Sequence, residues 1–219
     1  MKVVLDMGSG LTCKNDVMQV QDMIDAVDEA DPRNYEVILK WQLFSAWGEL
    51  PRLHPGVYAH AYDYARRLGY MTTASVFDIE SAEFLSRFTV PFVKMACVRD
   101  VYDSIPATKL DFGYCERNVV ISVPSQKEWR RVNRFVLNKQ LHTLCCVREY
   151  PATPEAYEST FTEVQLRRGI SDHTTTGYLL SKYRPEVYER HFCLDDQTGP
   201  DTGPFALRPD QLAAMLEEL

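Results

Sequence analysis

Strand-like and helix-like segments alternate along this chain from one end to the other, and that alternation limits the fold more than any other feature. Short β-branched or period-two runs fall at residues 3–6, 36–44, 70–77, 91–98, 118–123, 141–150, 169–173 and 186–193. Amphipathic or capped helical segments separate most of them, at 15–30, 57–68, 78–88, 125–139, from Pro154 onward, at 178–183 and at 208–219. Strands joined through helices make a parallel sheet, and eight of them predict a (β/α)8 TIM barrel, an α/β fold. Periodicity alone fits an open, doubly wound sheet equally well.

The polar positions favour the closed form. Side chains alternate across a strand, so one parity packs on helices and the other faces inward. Asp6, Lys40, Gln42, Lys94, Ser122, Ser171, His173, Glu189 and His191 lie on or just beyond six of the strands, mostly on the parity away from the apolar residues. They fall toward the strands' C-terminal ends, which a barrel gathers into one mouth. Residues 1–219 are therefore expected to form a single barrel domain. Local signals set several helix starts: Asp78 as an N-cap, Ser125-Gln-Lys-Glu128 as a capping box, and Thr153 before Pro154. Tyr157, Phe161 and Val164 are the expected buried stripe of the helix that Thr153 begins. Residues 99–115 are poorly patterned.

Composition excludes some partners. A net charge of −7, with no Lys/Arg-rich block, argues against nucleic acid and against an anionic membrane surface. No apolar run approaches the ~20 residues of a membrane span, and the N-terminus lacks signal-peptide character. The six cysteines show no C-x-x-C spacing, which suits free thiols in a reducing cytoplasm.

Two groups of residues suggest chemistry. His173 and His191 sit near the ends of consecutive strands, with Asp172 and Glu189 as nearby acids. Neutral imidazoles with water and substrate oxygens suit Mn²⁺, Zn²⁺ or Co²⁺, and two protein ligands leave an open, catalytic site. Lys40 and Lys94 point into the expected barrel, where an unpaired ammonium is costly. Each needs an internal carboxylate such as Asp6 or Glu189, a bound phosphate or carboxylate, or a Schiff-base role.

Several short motifs resemble the sialic acid synthase (N-acetylneuraminate synthase) family. They are Leu39-Lys-Trp-Gln-Leu-Phe44, Val93-Lys-Met-Ala96, Val119-Val-Ile-Ser122, Cys146-Val-Arg-Glu-Tyr-Pro151, Ser171-Asp-His-Thr174, Glu189-Arg-His-Phe192, Gly199-Pro-Asp201 and Leu207-Arg-Pro-Asp-Gln-Leu212, in the family's order. The resemblance implies a barrel that condenses phosphoenolpyruvate with an N-acyl hexosamine such as N-acetylmannosamine. A divalent metal, Mn²⁺ or Mg²⁺, would be held by His173 and His191 and polarise the open-chain aldehyde of the sugar. Lys40, Lys94, Ser122 and Ser171 match positions that bind phosphoenolpyruvate, and Gln42 and Tyr150 match positions on the sugar side. Asp6 stands where the family has a glutamate near the reacting centre, and Glu189 matches an acid beside the metal. A homodimer is compatible with the resemblance.

The departures are specific. Gly10-Leu11 replaces the family's Asn-His, Cys97 replaces a serine, and Val123-Pro124 follows Ser122 in place of Thr-Gly. Arg148 stands where a small polar residue or asparagine is usual and could serve an anion; Thr202 replaces a histidine. The family's small C-terminal antifreeze-like domain is not expected within this chain. Alternative functions are a barrel retained for binding or assembly, and a Schiff-base aldolase or lyase using Lys40 or Lys94.

Overall fold

A computed structural model describes residues 1–43, 52–97, 118–135 and 141–219. In chain order the elements are β1 (Lys2–Asp6), α1 (Val17–Ala30), β2 (Glu36–Leu43), α2 (Pro55–Arg67), β3 (Met71–Val76), α3 (Ile79–Leu85), β4 (Phe92–Met95) and β5 (Asn118–Val123). They continue with α4 (Gln126–Phe135), β6 (Leu141–Cys146), α5 (Pro154–Thr160), α6 (Glu163–Arg168), β7 (Gly169–Asp172), α7 (Tyr178–Tyr183), β8 (Val187–His191) and α8 (Pro209–Glu218). The eight strands form a closed barrel in sequence order, every neighbour parallel. β1 closes it by pairing with both β2 and β8, so Asp6 registers with Lys40 on one side and His191 on the other. Strand parity thus becomes a ring of inward side chains.

Two apolar layers hold the ring. Outside, Leu5, Leu39, Trp41, Ile121, Ile170 and Tyr188 belong to a buried cluster with helix residues such as Val20, Ile24, Tyr58 and Leu212. Inside, Val4, Ile38, Phe92, Val120, Leu144 and Val187 make a plug below the mouth. The plug supplies a dry floor on which any charged group must find a partner.

Several predicted helix starts are present. Asp78 accepts from the Ser81 amide at 2.7 Å, and Thr153 Oγ1 accepts from the Ala156 amide at 3.3 Å. Ser125 Oγ accepts from the Glu128 amide at 3.3 Å. The expectation for Val164 fails: its side chain is 76% exposed. The backbone leaves helical geometry at Phe161, and Thr162 restarts the helix through a capping box with Gln165. That break rotates the register, so Gln165 and Leu166 are buried instead.

Strand six is also shorter than expected, ending at Cys146 rather than at residue 150. Residues beyond it serve the mouth: the Val147 carbonyl is taken by the His173 ring at 2.7 Å. Phe44, Val98, the segment 99–115 and the expected helix end after 135 lie outside the described residues. Among the described residues no helix is long and apolar enough to cross a membrane.

Candidate active site at the mouth of the barrel

All nine inward polar residues singled out in the sequence line one cavity of about 400 Å³ at the C-terminal ends of the strands. They stand in two tiers. The lower tier is ionic. Lys40 Nζ lies 2.5 Å from Asp6 Oδ2 and donates to Ser75 Oγ at 3.1 Å. Lys94 Nζ lies 3.0 Å from Glu189 Oε1, which also accepts from Ser171 Oγ at 2.7 Å. Glu189 Oε2 has no hydrogen-bond partner among the described residues and stands 3.8 Å from Lys40 Nζ. Both lysines are therefore satisfied by internal carboxylates, as a buried ammonium requires. They remain on the cavity wall all the same.

The electrostatics follow from this crossing of charges. Burial raises the Asp6 carboxyl, but the Lys40 ammonium, with help from His191, holds it well below the usual carboxylate range. Burial opposes the charge on Glu189 too, and Lys40 and Lys94 outweigh it, so its pKa is lowered. Burial lowers Lys40, while Asp6 and Glu189 together raise it above its ordinary value. Near neutral pH the lower tier thus carries ionised carboxylates and a charged Lys40.

The upper tier holds the imidazoles. His173 follows β7 by one residue, and His191 is the last residue of β8; their ring centroids are 5.6 Å apart. Burial, and then the neighbouring His191, push His173 down to about 3. The carbonyl oxygen of Val147 can only accept, so the 2.7 Å bond to it fixes the proton on His173 Nδ1 and leaves the Nε2 lone pair free. The His191 Nδ1 has no hydrogen-bond partner among the described residues and lies 3.6 Å from Asp201 Oδ1. Tyr150 stacks on His173 at 4.0 Å between centroids.

A neutral imidazole held by a carbonyl, beside a second imidazole facing a carboxylate, is the arrangement that orients histidines toward a metal. Among the described residues no group of three His, Cys, Asp or Glu side chains is placed to enclose an ion. The donor set thus fits an open site of two imidazoles, completed by water or substrate oxygens.

Some expectations change. Arg148 is exposed and does not line the cavity; its Nε donates to Cys97 Sγ at 3.3 Å at the rim. Asp172 faces the helix layer, where it accepts from Tyr188 OH at 2.8 Å, so it is no partner of the histidines. Gly10 has its own packing reason: a Cβ there would come within 2.4 Å of the Arg52 carbonyl. Thr202 donates to the Gly199 carbonyl at 2.9 Å.

One residue given no role in the sequence is central. Asp201 Oδ2 accepts from the Ser9 amide at 3.2 Å and Thr12 Oγ1 at 2.5 Å, and its Oδ1 accepts from Gln42 Nε2 at 3.0 Å. Gly8 permits the approach: at φ +79°, an added Cβ would meet Thr12 and, at 2.9 Å, Asp201 Oδ2. The only sequence signal was the Gly199-Pro-Asp201 motif.

The fold and site define a class: a parallel eight-stranded barrel with a charged, histidine-bearing mouth at the C-terminal face, where such barrels carry their active sites. The NeuB family model matches residues 49–219, and the chain belongs to that family. Solved structures agree on the fold. An N-acetylneuraminic acid (sialic acid) synthetase from Leptospira borgpetersenii, crystallised with citrate, superposes with a TM-score of 0.81 at 19% identity, over 99% of this chain and 81% of that one. The spore coat polysaccharide biosynthesis protein spsE from Bacillus subtilis gives 0.74 at 20% identity, over 98% and 66%. A truncated 3-deoxy-D-arabino-heptulosonate 7-phosphate synthase from Thermotoga maritima gives 0.66 at 7% identity, over 100% and 84%. A comparison with curated protein sequences gives no match.

Proposed function

We propose that this chain is a biosynthetic synthase that condenses phosphoenolpyruvate with an N-acyl hexosamine of the N-acetylmannosamine kind. The products would be a sialic acid or related nonulosonic acid and inorganic phosphate. One observation carries this proposal. Lys40, Lys94, Ser122 and Ser171 share the cavity of about 400 Å³ with His173, His191, Asp6 and Glu189. Membership of the NeuB family supports it.

Phosphoenolpyruvate brings a phosphate and a carboxylate. Lys40 and Lys94 would meet them with charge-assisted hydrogen bonds, and Ser122 and Ser171 with neutral ones. The exposed Arg148 adds a guanidinium at the rim. Gln42 and the half-exposed Tyr150 line the same cavity and would face the sugar. His173 and His191 would hold a divalent ion, Mn²⁺ or Mg²⁺, which when bound polarises the acceptor's aldehyde. In the overall reaction C3 of phosphoenolpyruvate joins the aldehyde carbon, water adds at C2, and phosphate leaves with its bridging oxygen. Asp6 and Glu189, ionised near neutral pH, are the bases available for the proton of the adding water.

The Schiff-base alternative needs a neutral lysine amine. Asp6 and Glu189 raise the Lys40 pKa, and Lys94 is engaged by Glu189 at 3.0 Å, so both surroundings weigh against it. The decisive assay is phosphate release from phosphoenolpyruvate with a panel of N-acyl hexosamines and Mn²⁺. Release with at least one sugar is expected. Silence across the panel, with Mn²⁺ still bound, would overturn the synthase and favour a barrel retained for binding or assembly.

A further inference from the structure

Five cysteines lie among the described residues, and four of them are buried. Cys97, two residues past the end of β4, is the partly exposed one. It lines the mouth together with Cys146, the last residue of β6, so the two thiols face one cavity. Arg148 Nε donates to Cys97 Sγ at 3.3 Å. β5 runs between the two strands, so a link from Cys97 to Cys146 would cross in front of β5, the strand that carries Ser122.

We infer that Cys97 and Cys146 form a dithiol that a hydroperoxide converts reversibly to a disulfide across the mouth of the barrel.

The surroundings divide the two roles. The neighbouring Cys146 thiol comes first, and the hydrogen bond and charge of Arg148 and the charge of Lys94 add to it; together they overcome burial and bring Cys97 down to about 7. A thiol with a pKa near ambient pH is the best attacking nucleophile. The same contact and burial push Cys146 well above its ordinary value, so it stays protonated as the resolving thiol. The other described cysteines lack a cation beside an open cavity, and burial raises Cys13 and Cys193 to about 11 and Cys145 further still.

The chemistry balances with the peroxide as oxidant. Cys97 thiolate attacks one peroxide oxygen, the O–O bond breaks, and hydroxide leaves as Cys97 becomes a sulfenic acid. Cys146 sulfur then attacks the Cys97 sulfur, the S–O bond breaks and water departs. Two thiols and one hydrogen peroxide give one disulfide and two waters. A thiol reductant restores the starting state.

The dithiol does not depend on the reaction assigned to the cavity, and covalent mass reads it directly. The full chain is treated with hydrogen peroxide, alkylated, digested and mapped by mass spectrometry. A crosslinked peptide joining Cys97 to Cys146 is expected, released by dithiothreitol, while Cys13, Cys145 and Cys193 react far more slowly. In Cys146→Ser the crosslink disappears, and Cys97 is trapped as a sulfenic acid by a dimedone probe. Peroxide-treated wild type in which both residues alkylate as free thiols would overturn the inference. So would a Cys97 link to any other cysteine, or oxidation that dithiothreitol cannot reverse.

Discussion

At the scale of single residues, the mouth is governed by the cost of burying charge. Lys40, Lys94, Asp6 and Glu189 are each 4% exposed or less, and each lies within 3.0 Å of a partner of opposite type. Removing one partner leaves the other buried and unmatched, at a cost of about 3–5 kcal/mol. Lys94→Ala should therefore lower Tm, and should also raise KM for phosphoenolpyruvate by about 10- to 100-fold, the worth of a charged hydrogen bond, with less effect on the sugar. A drop in Tm with an unchanged phosphoenolpyruvate KM would make Lys94 purely structural. His173→Ala and His191→Ala should abolish metal-dependent turnover and weaken Mn²⁺ binding in calorimetry, with circular dichroism near native. Full activity in either variant would refute the ligand pair.

At the scale of elements, helices act on the site through the strand ends they support. Tyr157 on α5 donates to the Ser171 carbonyl at 2.6 Å and accepts from the His173 amide at 3.1 Å, tying the end of β7 to its helix layer. Tyr157→Phe keeps the ring and leaves both backbone groups buried without that partner, which should cost about 1–3 kcal/mol by chemical denaturation. Mn²⁺ affinity should fall with it, because His173 hangs on that strand end; unchanged affinity would confine Tyr157 to stability. The same stretch shows a limit of period-based reading. A buried stripe through Val164 assumes one continuous helix, whereas Thr162 and Gln165 cap a new one. The capping pair was present in the sequence, and local hydrogen bonding outweighed the apolar spacing.

At the scale of the whole molecule, the ionic tier makes stability depend on pH. Asp6 and Glu189 have lowered pKa values in the fold, so their stabilisation is present above the unfolded values near 4 and is lost as pH falls through the folded ones. His173 is held neutral down to about 3, so stability also erodes as pH drops below its unfolded value of about 6.5. Lys40 has a raised value, and its contribution is lost only as pH rises through that value. The metal-free protein should thus melt highest near neutrality, with an acid limb beginning below about pH 6.5. In His173→Asn the decline between about pH 6.5 and 4 should become shallower, leaving the part due to His142, which burial also lowers, as followed by Tm against pH; an unchanged acid limb would assign the loss to other groups. Much of the molecule was legible beforehand. The alternation of segments implied the barrel, and strand parity put all nine inward residues into the cavity, because both are local periods set by the backbone. Asp172, read as an acid near the histidines from its place in the sequence, faces the opposite side of β7 from Ser171. What only the tertiary structure decided lies beyond the strands: Asp201 bonded to Ser9, Thr12 and Gln42, and Cys97 set against Cys146 and Arg148. These contacts join residues apart in the chain: barrel closure between β1 and β8 brings Asp201 to the loop after β1, and the parallel order β4–β5–β6 brings Cys97 toward Cys146 and Arg148, and no local pattern encodes which loop ends will meet.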